Sequence, residues 1–201
     1  MTGFVITQLS ICDFRGFYGE KSWTLGPLTK ITGHNYQGKS SIADAIAFAL
    51  TGVPYFGGRD LDRLHNSGAA MMWVEAVLRT DEGKTHTVHR IRQNGRTVLS
   101  VDGATTTQER FAERFGSKDL ILSLLNPLYF AEVLGGDGRK LIEQYLSPVS
   151  YETVLSKLSE TMRELLKDEA ISVPATYVKS RREELKELEK DRLVLNGQME
   201  Q

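Results

Sequence analysis

One short stretch restricts this chain more than any other. Residues 30–41 read KITGHNYQGKSS and contain the pattern G-x-x-x-x-G-K-[ST] without a mismatch. Glycines with this spacing let a loop wrap closely around a phosphate chain, so that backbone N–H groups point at the anion. In such a loop Lys39 would reach the β- and γ-phosphates, and the Ser40 hydroxyl would bind Mg²⁺. The stretch therefore predicts a site for ATP or another nucleoside triphosphate, together with Mg²⁺.

The residues on either side of this P-loop suit that prediction. Residues 27–32 are expected to form a short, partly buried strand. Residues 41–50 are expected to form a helix that ends at Gly52, since one helical face is apolar, at Ile42, Ala45, Ile46, Ala49 and Leu50. A strand, a glycine-rich loop and a helix place the anion at a helix N-terminus, where unpaired N–H groups and the helix dipole favour it. This agreement disfavours a chance match in a glycine-rich loop.

Composition limits the class of protein. With 201 residues and 40% apolar content, the chain suits one domain, or one domain with an appendage. Its 25 basic and 26 acidic residues nearly cancel, so total charge does not require a nucleic-acid partner, although a basic face stays compatible with it. The single cysteine, Cys12, excludes an internal disulfide and is expected to be buried and inert. No long apolar run or signal peptide is found, and a soluble, cytoplasmic protein is expected.

The order of the strand-like segments is unusual for small kinases and GTPases, in which the P-loop usually follows the first strand. Here two strands, at residues 4–12 and from residue 21, precede it. Three more, at 73–80, 86–93 and 97–102, are separated by turn sequences. On the second of these, Arg90 and Arg92 alternate with apolar residues, which favours a solvated basic face over a phosphate-contacting surface.

The second half of the chain is predicted to be mainly helical. The expected segments are a short helix at 107–116, a buried segment at 121–125, helices at about 138–146 and 150–168, and a break at 171–174.

The tail has a heptad pattern. Val178, Leu185, Arg192 and Met199 repeat every seven residues, and the partner positions are Arg181, Leu188 and Leu195. We therefore expect residues 1–170 to form the main lobe and residues 175–201 to form the start of a truncated coiled-coil arm. A single charged helix packed on the lobe is the alternative.

Other parts of an ATPase site are missing. A complete site needs an acidic residue after a buried strand, to hold Mg²⁺ and polarise water. Asp102-Gly103 fits a hairpin turn better than it fits such an acidic residue. Residues 134–138 match an L-S-G-G-Q signature loop only weakly, so a loop that starts a helix is expected there. The chain is thus predicted to carry half of an active site.

These features resemble a family. Asp13-Phe14-Arg15 after a first strand, followed by G-x-N-x-x-G-K-S-S-I-x-D-A-I, looks like the N-terminal ATPase half of the SMC, SbcC, RecF and RecN group. The hairpins and the heptad helix resemble SbcC-type members, and residues 126–130 resemble phage and prophage members. The resemblance implies an α/β fold: an ABC-type P-loop ATPase N-terminal lobe, with a mixed sheet, antiparallel hairpins and a P-loop helix, plus the start of a coiled-coil arm.

The resemblance also implies roles for individual residues. Arg15 matches an arginine near the nucleotide. In relatives a glutamine senses Mg²⁺ and the attacking water, and the equivalent place here holds Asn126, a shorter amide and the candidate for that role. The phosphate loop corresponds to Gly33, Asn35, Gln37, Gly38, Lys39, Ser40 and Ser41.

The implied partners are a C-terminal lobe of the same protein with a signature loop and a Walker B acid, a second head bound through ATP, DNA, and an SbcD-like nuclease. No membrane partner is implied. The expected function is a DNA repair or recombination ATPase, with slow or no hydrolysis by this stretch alone. The alternatives are an ABC transporter nucleotide-binding domain, which is usually contiguous, and a regulatory module that binds nucleotide without hydrolysis.

Overall fold

The computed structural model describes residues 3–147, 149–166, 171 and 174–199. The chain divides into two compact units, the first ending at Leu146 and the second beginning at Ser147. The division at residues 170–175 that the heptad pattern suggests stays a prediction.

The first unit is built on a six-stranded antiparallel sheet in the order β2-β1-β3-β4-β5-β6. The strands predicted at 4–12, from 21, at 73–80, 86–93 and 97–102 are confirmed. The hairpin turn at Asn94-Gly95 is also confirmed, since both residues have positive φ, as a two-residue hairpin loop requires. The strands are β1 Phe4–Cys12, β2 Glu20–Thr24, β3 Met71–Thr80, β4 Thr85–Gln93, β5 Arg96–Val101 and β6 Ala104–Thr106.

The strand predicted directly before the P-loop is absent, so that prediction was wrong. Residues 27–32 have no regular structure, and the side chains of Leu28 and Ile31 are 94% and 43% exposed. A strand needs a neighbour to pair its backbone N–H and C=O groups. No strand in the described part of the chain lies beside this segment, and a turn forms instead, in which the Gly26 N–H donates to Thr29 Oγ1 at 3.0 Å.

The helix after the P-loop is confirmed as α1, Lys39–Thr51. It ends at Gly52, whose positive φ and N–H bond to Phe48 O, at 2.9 Å, form a glycine C-cap. The buried surface is wider than the predicted stripe and includes Asp44 and Phe48, because α1 contacts the sheet at β3 and β4 and also a later helix. This later helix is α3, Lys118–Leu125.

The other helices of the first unit follow the sequence pattern closely. Thr107 and Ser117 accept hydrogen bonds from N–H groups in the first turns of α2 and α3, as N-caps do. The loop at residues 134–138 leads into α4, as expected. The remaining elements are a 3-10 helix at Asp62–Leu64, α2 at Gln108–Phe115, a π-helical turn at Tyr129–Leu134 and α4 at Asp137–Tyr145.

The second unit contains α5, Tyr151–Ser156, α6, Glu160–Leu166, and α7, Pro174–Met199. The single helix predicted at 150–168 is therefore divided in two. The Arg163 guanidinium donates to the carbonyls of Leu155, Ser156 and Leu158, which satisfies the end of α5. On α7 the side chains from 178 to 196 are exposed. The coiled-coil pairing of α7 stays a prediction.

The prediction of a solvated basic face on β4 was wrong. Arg90 is 5% exposed, and its Nε donates to Ala49 O at 3.2 Å, at the C-terminal end of α1. A second nitrogen donates to Gln108 Oε1 at 2.7 Å. Arg92 reaches Asp62 Oδ1 at 2.7 Å. Helix α1 covers this face of the sheet, and its terminal carbonyls favour a cation there. Burial lowers the pKa of Arg90 to about 10.

Replacing Arg90 with methionine is expected to destabilise the first unit by about 2 kcal/mol, since the charge-assisted bond to the helix end would be lost and Ala49 O would be left buried without that donor. Urea unfolding of Arg90→Met measures the change. Arg96→Met is the matched control, because Arg96 is exposed on the adjacent strand, and a change within about 0.5 kcal/mol is expected there. Equal stability of the two variants would contradict a structural role for Arg90.

Candidate nucleotide-binding site

A cavity of about 800 Å³ lies between the P-loop and the turn after β1. The predicted residues that line it are Arg15, Asn35, Gln37, Gly38, Lys39, Ser40 and Ser41. Gly33 and Asn126 are not among the lining residues. The chain thus brings most of the predicted site into one place.

The loop is held in a closed shape by its own side chains. Lys39 Nζ donates to Gly33 O and to His34 O, both at 2.7 Å. Gln37 Oε1 accepts from the His34 N–H at 3.0 Å. A Cβ atom at Gly33 would lie 2.9 Å from Gln37 Oε1, so a side chain there would push this bond apart. Gly33 therefore shapes the loop from outside the cavity.

The N-terminal end of α1 opens onto the cavity. Gly38 precedes the helix with φ 86° and gives it no side-chain cap, so N–H groups of the first turn have no acceptor within the helix. A Cβ at Gly38 would lie 2.5 Å from the Phe17 ring. Only glycine therefore fits between Phe17 and the helix in this left-handed conformation. Free N–H groups and the positive end of the helix dipole make this a place for an anion.

The charges around the cavity agree with an anionic ligand. The lining residues include Arg15, Lys39 and Arg63, together with His65, and no carboxylate is among them. The nearby carboxylate of Asp44 lies behind Arg15 and forms an ion pair with it at 2.6 Å. A triphosphate at the P-loop would meet cations and N–H donors, and the carboxylates of Asp44 and Asp60 line the adjoining cavity instead.

A second wall of the cavity was not predicted from the sequence. Phe17, Arg63, His65 and Ser67 also line the cavity. The segment around the 3-10 helix is fixed to the turn after β1 by Asn66, which is buried. Its Nδ2 donates to the carbonyls of Arg15, at 2.9 Å, and Phe17, at 3.3 Å. These contacts join residues about fifty positions apart in the sequence, and no local sequence pattern predicts them.

Asn126 lies away from the cavity. It is 2% exposed, its Oδ1 accepts from the Leu128 N–H at 3.1 Å, and its Nδ2 donates to Tyr55 O at 3.4 Å. The amide thus stabilises the turn that follows α3. Its assignment as the Mg²⁺-sensing residue stays a prediction.

No group of three or more His, Cys, Asp or Glu side chains in the described ranges could hold a metal ion.

The hairpin turn predicted at Asp102 is present. Asp102 lies in the turn between β5 and β6, and its carboxylate bonds to His86 Nδ1 at 2.7 Å. Cys12 is only partly buried, and burial is the main cause that raises the pKa of its thiol.

The sequence of this chain is similar to those of known proteins. The family model described as an AAA domain matches residues 8–201. The DNA replication and repair protein RecF of Acaryochloris marina is 29% identical over 104 residues, which cover 52% of this chain and 28% of the relative. RecF of Nostoc punctiforme is 27% identical over 123 residues, 58% of this chain and 33% of the relative. The chain thus spans about a third of the length of these curated relatives.

A solved structure shows the same fold. It is described as the recombination mediator protein RecF-ATP in the RecFOR pathway, and it superposes with a TM-score of 0.51 at 18% identity, over 94% of this chain and 56% of that one. The predicted α/β fold, an ABC-type P-loop ATPase N-terminal lobe with antiparallel hairpins and a P-loop helix, is confirmed. The sheet was predicted to be mixed, but the six strands in the described part of the chain pair only in antiparallel fashion. In the part of the chain that the structure describes, no helix is long and apolar enough to cross a membrane.

Proposed function

The chain belongs to the AAA domain family, and we propose that it is the ATP-binding head lobe of a DNA repair or recombination ATPase of the SMC and RecF type. The observation that carries this proposal is the P-loop at the start of α1, which faces a cavity lined by cations and free of carboxylates. The names of the curated relatives, which are DNA replication and repair proteins, support the DNA-related role.

In this proposal Lys39 exchanges its two carbonyl acceptors, Gly33 O and His34 O, for phosphate oxygens. The N–H groups at the start of α1 bind the same phosphates, and Arg15 adds a second cation at the cavity wall. The Ser40 hydroxyl would hold Mg²⁺, which would neutralise phosphate charge when bound. Asn35, Gln37 and Ser41 complete the loop.

We further propose that hydrolysis requires a C-terminal lobe of the same protein. No acidic side chain lines the cavity, and residues 27–32 have no strand beside them in the described ranges. A second lobe would supply a Walker B acid, a signature loop and the missing strand neighbour. The short span of this chain relative to its curated relatives is consistent with such a lobe. ATP would then bind between the P-loop of one head and the signature loop of a second.

A further part of the proposal concerns the coiled-coil arm predicted for the tail of the chain. We propose that residues 1–170 form the head lobe, and that residues 175–201 start an antiparallel coiled coil whose returning helix leads to the C-terminal lobe. The exposed leucines of α7, Leu185, Leu188 and Leu195, are the surface that such a partner would cover. With an arm of this kind, the protein would resemble SbcC-like phage or prophage members of the group, and an SbcD-like nuclease would be a partner for its action on DNA.

The expected turnover of this stretch alone is slow. P-loop NTPases without their full set of catalytic groups hydrolyse at rates on the order of 10⁻⁴ to 10⁻² s⁻¹. Phosphate release from the purified chain should fall in or below that range. A large increase is expected when the C-terminal lobe is added. Several turnovers per minute by the lobe alone, lost in Lys39→Ala, would contradict the half-site proposal.

A further inference from the structure

Arg15 is tied to the P-loop helix by an ion pair that the proposed reaction does not explain. The Arg15 guanidinium lies 2.6 Å from Asp44 Oδ2, and the side chains are 35% and 9% exposed. Asp44 is one of the few charged residues with a buried side chain in the part of the chain that the structure describes, and it lies on α1, a little more than one turn after Lys39. Burial of a carboxylate is costly unless a cation or a set of hydrogen bonds satisfies it.

The backbone of Arg15 is fixed independently of that pair. Its φ is +54°, a conformation that non-glycine residues adopt at a cost. The Arg15 N–H donates to Leu64 O at 2.8 Å, and its carbonyl accepts from Asn66 Nδ2 at 2.9 Å. The main chain is therefore held from two sides, and only the direction of the side chain remains to be set.

Asp44 sets that direction through one oxygen only. Its other oxygen, Oδ1, accepts from the Tyr55 N–H at 3.0 Å, and the contact with Arg15 is made through Oδ2. The Arg15 Nε is buried and has no hydrogen-bond partner in the described part of the chain. Asp44 holds one terminal nitrogen of the guanidinium, so the donors left for a ligand are on the terminal nitrogens and not on the buried Nε.

We propose that Asp44 is a positioning residue that aims the Arg15 guanidinium at the phosphates of the bound nucleotide. The carboxylate fixes one nitrogen and leaves other donors for the ligand, which reduces the conformational freedom that Arg15 would lose on binding. The Arg15 side chain lines the cavity at the P-loop, whereas Asp44 lines the adjoining cavity, so Asp44 acts through Arg15 on a ligand held at the P-loop. This inference rests on the proposed nucleotide-binding function.

The test is a double-mutant cycle in MgATP affinity, using Asp44→Asn, Arg15→Ala and both together. Asparagine has nearly the same shape as aspartate and still accepts from the Tyr55 N–H, so the fold should be retained. Each single change is expected to weaken binding about tenfold, the scale of one charge-assisted hydrogen bond. The double variant should also be about tenfold weaker, because Asp44 has nothing to position once Arg15 is gone.

The control is Asp60→Asn. Asp60 pairs with Arg63, another cation at this cavity, but both side chains are largely exposed, and a change of less than about twofold is expected. Independent effects that multiply to about a hundredfold in the double variant, or unchanged affinity in Asp44→Asn, would overturn the inference alone. If the unaltered chain failed to bind MgATP, the proposed function would fall, and the inference with it.

Discussion

Replacing Lys39 with alanine is expected to weaken MgATP binding by about 100-fold. Removal of one partner from a hydrogen-bonded charge pair costs about 2–5 kcal/mol, and each 1.4 kcal/mol is a factor of ten. The fold should survive, because the bonds that Lys39 makes are to carbonyls of an exposed loop. The free energy of unfolding without nucleotide should therefore change by no more than about 0.5 kcal/mol.

Thermal unfolding with and without MgATP measures both parts of this expectation, since a ligand that binds only the folded state raises the melting temperature. Lys21→Ala is the charge-matched control, because Lys21 is exposed on β2 and does not line the cavity. It should keep the full shift. A full shift in Lys39→Ala would show that the P-loop is not the nucleotide site.

A methyl group at Gly38 is expected to damage both stability and binding. Its Cβ would lie 2.5 Å from the Phe17 ring, and φ 86° is a strained conformation for alanine. Phe17 packs on Trp23 with ring centroids 5.5 Å apart, so the ring cannot move away without losing that contact. We expect Gly38→Ala to lower stability by about 2–4 kcal/mol, and to reduce MgATP affinity at least tenfold by displacing the start of α1.

Gly83→Ala separates the two causes. Gly83 has a similar φ, 78°, in the β3–β4 turn, but nothing lies within 4 Å of the position of its Cβ. This control should show only the conformational cost, about 1 kcal/mol, and unchanged affinity. Urea unfolding and nucleotide titration of both variants make the comparison. If Gly38→Ala behaved like Gly83→Ala, the close packing of Phe17 on the P-loop would not matter for the site.

The parts of the fold that the sequence predicts well are those specified locally. The P-loop and α1 have a fixed spacing, an apolar face and a glycine stop at Gly52, and the hairpins have Gly83 and Asn94-Gly95 at their turns. Residues 27–32 have a strand-like composition, yet a strand depends on a neighbour that local sequence does not reveal. The burial of Arg90 does not follow from the sequence for a related reason. Only the packing of α1 on β4 shows that this face of the strand is covered.

The same distinction applies to the candidate site. The P-loop residues of the site all belong to one motif, and a family resemblance indicates Arg15. Arg63 and His65 reach the cavity through the bonds of Asn66 to the turn after β1, a long-range contact without a sequence signal. The place of Asn126 in the chain suggests a role at the nucleotide, and this role stays a prediction; its buried amide bonds to Tyr55 and Leu128.

Calorimetric titration of the unaltered chain with MgATP tests the central claim most directly. We predict one binding site per chain, with a dissociation constant between about 1 µM and 1 mM, the range usual for enzyme substrates. The affinity should fall about 100-fold in Lys39→Ala and stay unchanged in Lys21→Ala. Absence of binding by the unaltered chain at millimolar MgATP, or equal binding by Lys39→Ala, would contradict the assignment of this lobe as an ATP-binding head.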